Sequence, residues 1–240
     1  MTQLNVNAIE PAGATLTIGE SGDTVKANDS VNVNTVKDAG GNTIWVSDGS
    51  GSLSSVNSAF GDALVLLSTQ TASDDASISF TSDIDSTYKE YIFKFININP
   101  ATNAQDFGFQ VNAAGGDSFD ETMTTTFVRA DHNEADDQAY LQYYTSGDQA
   151  EGTAYQVLGI GVGNGADECC AGELHLFNPS STTYVKNFYA TMSVYMNTGW
   201  ARENLIAGYI NTTTAIDEID FKFTPSGNIN EGTIKMYGVS

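Results

Sequence analysis

The feature that most constrains this chain is a two-residue alternation of apolar and polar side chains, which recurs from about residue 63 onward with almost no helical period to compete with it. In NFYATMSVYMN, Phe188, Ala190, Met192, Val194 and Met196 fall on one face, with Tyr189, Thr191, Ser193 and Tyr195 on the other. Successive side chains of a strand point to opposite faces, so this is the pattern of a half-buried strand. DEIDFKFTPS repeats it, setting Ile219, Phe221 and Phe223 against a wet face of Glu218, Asp220 and Lys222. EYIFKFINI places Tyr91, Phe93 and Phe95 opposite Ile92, Ile96 and Ile98, which predicts a strand covered on both faces or lying near an interface. In EGTIKMYGVS, Ile234 and Met236 oppose Thr233, Lys235 and Tyr237, which predicts a final strand held in a sheet and not a fraying tail. Gly, Asn, Asp and Ser bound these Thr-, Val-, Ile-, Tyr- and Phe-rich runs, so the expected fold class is all-β with antiparallel strands.

The first sixty residues differ. TLTIGESGDTV, SVNVNTV and NTIWVSDGSGSLSSV are short, polar and separated by close-spaced turn residues. Few large side chains are available to close a core, and a sheet without an apolar face to pack is not stable alone. The expected organisation is a small N-terminal β-module over residues 1–60, stabilised by association with copies of itself, and a larger domain over residues 61–240. The boundary falls near NSAFGDA, after which apolar density rises at LVLLSTQ.

Charge narrows the partners. Thirty acidic residues against nine basic ones give a formal charge of -21. That balance argues against nucleic acid, whose binding depends on Lys and Arg, and against an anionic membrane surface. MTQLNVNAIEP lacks a basic region followed by an apolar run, and no apolar stretch reaches the ~20 residues of a spanning helix, so synthesis as a soluble protein in a cytoplasm is expected. Cys169 and Cys170 are adjacent, which supplies no disulfide framework and no zinc ligand set.

Motifs of chemistry are sparse. GIGVGNG, residues 159–165, is followed by ADECCAGELHLF, a loop and then a strand, so it lacks the helix N-terminus of a phosphate-binding loop and reads as a bulged, closely packed strand. The two histidines, His132 and His175, stand near no nucleophile elbow, and His175 is expected on a solvated sheet face. Among the carboxylate clusters, ADHNEADD offers the best oxygen donors for calcium in Asp131, Asn133, Asp136 and Asp137, although its spacing matches no EF-type loop. No other cofactor is expected. Aromatic residues form the more promising set. Tyr140, Tyr144, Tyr189 and Trp200 supply rigid amphipathic area suited to sugars or protein partners, and MNTGWAREN adds Arg202 beside Trp200 on a candidate contact loop.

The last third of the chain carries an NPSS turn, the segment GYINTTTAIDEIDFKF and the ending SGNINEGTIKMYG. In this combination it resembles the C-terminal domains of bacteriophage fibre and other virion-surface proteins, and TLTIGESGDTV resembles segments of marine phage fibre and spike proteins. The resemblance implies an antiparallel β-sandwich of jelly-roll type, often trimeric. It further implies a non-enzymatic virion structural protein on the particle surface, a tail or head fibre, spike or capsid decoration serving host attachment. On that expectation the partners are the chain itself as a homotrimer, other virion proteins through the N-terminal module, and a host surface glycan or receptor. The chain departs from a full fibre in having no coiled-coil or collagen-like shaft. The alternative is a carbohydrate-binding or polysaccharide-depolymerising sandwich, with tyrosines, Trp200 and a carboxylate pair facing one groove. A secreted adhesin would require export.

Overall fold

A computed structural model describes residues 33–38, 40–50, 53–56 and 64–239. The TLTIGESGDTV segment lies outside them. The chain divides into two compact units, residues 1–60 and 61–240.

In the first unit β1 (Thr35–Lys37), β2 (Thr43–Ser47) and β3 (Leu53–Val56) form an antiparallel meander in that order. The β1–β2 turn is closed by Asp38, whose carboxylate accepts from the Asn42 backbone N–H at 2.8 Å and its side-chain amide at 3.0 Å. These bonds hold the exposed Asp38 carboxyl below its usual pKa.

The second unit is all-β and antiparallel. Its strands are β4 (Leu64–Asp75), β5 (Ile78–Phe80), β6 (Glu90–Pro100), β7 (Gln105–Ala113), β8 (Met123–Asn133), β9 (Ala139–Tyr143), β10 (Gln156–Val162), β11 (Cys170–Phe177), β12 (Lys186–Met196), β13 (Trp200–Ile210), β14 (Ile216–Thr224) and β15 (Ile229–Val239). Eight of them pair in the order β4-β15-β6-β11-β12-β13-β8-β9, and four in the order β10-β7-β14-β5. A single residue pair, Val162 with Met196, joins the two rows. The chain crosses repeatedly between them, with β5, β7, β10 and β14 in the short layer and the intervening strands in the long one. That winding is a sandwich of jelly-roll type, nearly closed into a barrel.

The alternating segments supply the core between the layers. Phe93 and Phe95 of the long layer meet Phe221 of the short one, Phe95 also meets Phe107, and Phe188 of the long layer meets Phe109, all buried. Phe221 stands at the centre, with its ring centroid 5.2 Å from Phe95 and 5.4 Å from Phe93. The final strand, β15, is interior to the long layer, paired to β4 on one side and β6 on the other, with Ile234 and Met236 fully buried.

Three expectations change in detail. In β6, Asn97 adopts a left-handed φ of 53° and makes a bulge, with Phe95 and Ile98 opposite Gly172 and Cys170. The extra residue returns Ile98 to the core face and leaves Ile96 outside and 42 % exposed, so the strand is not covered on both faces throughout. Gly232 of β15 faces this bulge with a φ of 132°, where a Cβ would lie 2.9 Å from the Asn97 carbonyl oxygen. In β14, Asp220 does not sit on a wet face. It is buried, accepting from Tyr155 Oη at 2.7 Å and Ser79 Oγ at 2.5 Å. His175 points away from the core as expected, yet it is buried and not solvated, because Tyr189 stacks on it at 4.4 Å and its Nδ1 lies 2.6 Å from Glu90 Oε1. The first part of the Gly-rich segment, Gly159 to Val162, is the bulged end of β10, with register shifts and Gly161 at a φ of 64°, while Gly163 to Gly165 belong to the loop that follows.

Candidate functional site

The inner face of the long layer changes character along β8 and β13. From one end, β8 presents Met123, Thr125 and Phe127 and then Arg129, Asp131 and Asn133. Opposite them β13 presents Ile210, Gly208 and Ile206 and then Asn204, Arg202 and Trp200. The apolar half packs in the core. Asn204 marks the transition, donating from Nδ2 to the Leu158 carbonyl of β10 at 2.7 Å. Beyond it the face opens into a pocket of about 310 Å³ lined by Arg129, Asp131, Gln138, Tyr140, Gln142, Met196, Trp200 and Arg202.

Register places these side chains in rows across three strands. Arg202 pairs with Asp131, which pairs with Tyr140 of β9; Asn204 pairs with Arg129, which pairs with Gln142. Because side chains alternate strictly along a strand, one unbroken register brings every member of both rows to the same face.

Charge at the pocket is concentrated. Arg129 and Arg202 are the only arginines in the chain. Both hold Asp131: Arg202 Nε donates to Oδ1 at 2.5 Å and Nη2 to Oδ2 at 3.2 Å, while Arg129 Nε stands 3.2 Å from Oδ2. With its amide oxygen turned toward Arg129, Gln142 accepts from Nε at 2.8 Å and Nη2 at 2.6 Å. The Arg129 guanidinium rests over the Tyr144 ring, 4.1 Å from its centroid. Arg202 also acts on Asp106 of β7, whose pKa is raised by burial, with the Gly161 N–H and the Arg202 charge opposing the rise. Tyr140 and Trp200 close the outer side as a stacked pair, 5.9 Å between centroids and inclined by 21°.

Of the aromatic and basic candidates, Trp200, Arg202 and Tyr140 come together here. Arg202 is a buried, ion-paired side chain and not part of an exposed loop tip, because β13 begins at Trp200 and carries it inward. Tyr144 supports Arg129 from beneath and packs against the core. Tyr189 lies on the opposite face of the sheet, with His175.

The calcium donors do not converge. Asp131 is held by the arginines, Asn133 bonds Asp137 across the β8–β9 turn, and Asp136 lies 3.1 Å from His132 Nε2. No group of three or more His, Cys, Asp or Glu among the described residues is arranged to hold a metal. Arg129, Gln138, Gln142 and Met196 are site residues that the sequence reading passed over. Arg129 had a signal in the scarcity of arginine and its alternation with Asp131 in VRAD, whereas Gln138, Gln142 and Met196 had none.

No protein-family model, curated protein or solved structure matches the chain.

Proposed function

We propose that this protein is a non-enzymatic attachment protein of a bacteriophage particle, and that its jelly-roll unit binds a surface saccharide in the pocket between β8, β9 and β13. One observation carries the saccharide reading: a stacked Tyr140–Trp200 pair adjoins a fixed set of guanidinium and amide groups in one concave site. Aromatic faces accept the C–H faces of sugar rings, while a few placed polar groups select hydroxyls and orient the ring. At about 310 Å³ the pocket sits at the lower end of the ~300–1,000 Å³ of small-molecule sites.

Binding is favoured over cleavage by the carboxylate count. Glycoside hydrolysis uses two carboxylates flanking the bond, one of them free to act as nucleophile or base. Among the described residues Asp131 is the single carboxylate lining this pocket, and guanidinium N–H groups occupy both of its oxygens. The virion setting, the homotrimer and docking through residues 1–60 rest on the sequence resemblance. Within that setting, a self-sufficient sandwich presents the pocket and its acid-rich surface keeps a densely arrayed domain soluble.

A glycan array probed with the full chain and with Tyr140→Ala tests the reading. Saccharide binding that the substitution removes is expected. Array binding unaffected by the substitution would place the site elsewhere.

A further inference from the structure

The same pocket gathers the chain's rarest charge. Against 30 acidic residues there are two arginines in 240 positions, and both line this hollow beside a single carboxylate. Other hollows among the described residues carry the opposite balance. One at β4 and β15 is lined by Asp74 and Glu231, and one beside the β10–β11 connection by Asp167, Glu168 and Glu231, with no Lys or Arg in either. A chain of charge -21 repels anions over most of its surface, so an anionic group is held only where cations locally outnumber carboxylates.

The guanidinium groups are also set for a further acceptor. Arg202 uses Nε and Nη2 on Asp131. Arg129 uses Nε and Nη2 on Asp131 and Gln142. Nη1 of each has no protein acceptor among the described residues. Asp131 and Tyr144 hold the two planes in place before any ligand arrives, which lowers the ordering cost of binding. A fixed guanidinium edge matches the planar, two-oxygen geometry of a carboxylate.

We infer that the ligand is an acidic saccharide whose ring bears a carboxylate. This rests on the saccharide reading of the pocket and adds the ligand's charge to it. The ring lies against Tyr140 and Trp200, the carboxylate accepts from the arginine Nη1 groups, and the Gln138 and Gln142 side-chain NH2 groups, whose amide oxygens are engaged by Tyr140 and Arg129, are left to donate to hydroxyls. Asp131 then serves as a positioning residue, aligning both guanidinium groups and excluding a second anion from their inner edges.

Calorimetric titration of the full chain with tetragalacturonate, its fully methyl-esterified form, a sulfated galactan tetrasaccharide and neutral cellotetraose is the test. Tetragalacturonate is expected to bind about tenfold or more tighter than its ester, the scale of one charge-assisted hydrogen bond, and to weaken as salt is added. Arg129→Gln should bring acid and ester to equal affinity, whereas Tyr140→Ala should weaken both together. Equal binding of acid and ester by the unaltered chain overturns the carboxylate assignment and leaves the saccharide site standing, and so does tighter binding of the sulfated form. Binding of none of the four overturns both. Should Arg129→Gln lose its strand-type circular dichroism, the acid-to-ester comparison on the unaltered chain decides alone.

Discussion

Arg129 and Arg202 share one carboxylate: from neighbouring strands, both place Nε on Asp131, at 3.2 Å and 2.5 Å. The Arg202 and Asp131 side chains are 7 % and 2 % exposed, so the cluster is shielded and its charges depend on one another. Removing the carboxylate leaves two guanidinium groups facing each other without their counter-ion. Asp131→Ala is therefore expected to destabilise the sandwich by about 3 kcal/mol, the lower end for a broken buried ion pair. Thermal unfolding followed by near-ultraviolet circular dichroism measures it. A variant as stable as the parent would show that the cluster does not hold the three strands.

Phe221 bears on stability through packing alone. Its ring adjoins Phe80, Phe93, Phe95, Phe107 and Phe109, so truncation empties the centre of the interlayer core. Phe221→Ala should cost about 3–5 kcal/mol. Denaturant unfolding is the check, and a loss below about 1 kcal/mol would mean that the layers do not meet at this residue.

Asp106 gives a prediction of pH dependence. Burial raises its pKa in the folded state, so folding favours the protonated form, and stability falls as pH rises from the unfolded-state value through the folded one. Asp106→Asn keeps an oxygen to accept from the Gly161 N–H, now 2.8 Å away, and carries no charge to desolvate. The variant should match or exceed the parent in stability at neutral pH, with the difference vanishing in acid where both are neutral. A loss of stability confined to neutral pH would mean that attraction to Arg202 outweighs the burial cost.

The two units separate the proposed roles. A chain beginning at Gly61 contains every strand of the sandwich. It should keep the strand spectrum of the parent and sediment as a monomer, whereas the full chain, on the proposed reading, should sediment as a trimer. A trimeric truncated form would move the association surface into the sandwich.

How much of this was legible in the sequence depends on what the residue's neighbours do. Ile234, Met236, Phe221 and the alternating face of β12 were readable because a period of two depends only on the strand itself. Ile98 was not, since a left-handed Asn97 inserts a residue and flips the face; Asn tolerates that conformation, but FININP offers two and does not say that either adopts it. His175 and Asp220 are buried by Tyr189 and Tyr155, residues distant in sequence, so their wet-face expectation failed on contacts that periodicity does not see. The site was half legible. Trp200 and Arg202 stood out by type and Tyr140 as one tyrosine among several, but only the register of β8 with β9 and β13 sets Tyr140 and Asp131 beside them. The same register explains why Asp131 is held by the two guanidinium groups and does not converge with Asn133, Asp136 and Asp137.

On the proposed reading, ligand meets the protein on the inner face at β8, β9 and β13. Backbone amide and Trp200 indole shifts, recorded by nuclear magnetic resonance as tetragalacturonate is added, locate the binding face. Shifts are expected to concentrate at Arg129, Tyr140, Gln142 and Trp200, with His175 and Tyr189 on the opposite face unmoved. Shifts centred on His175 and Tyr189, or none at any concentration up to the millimolar range, would contradict that reading.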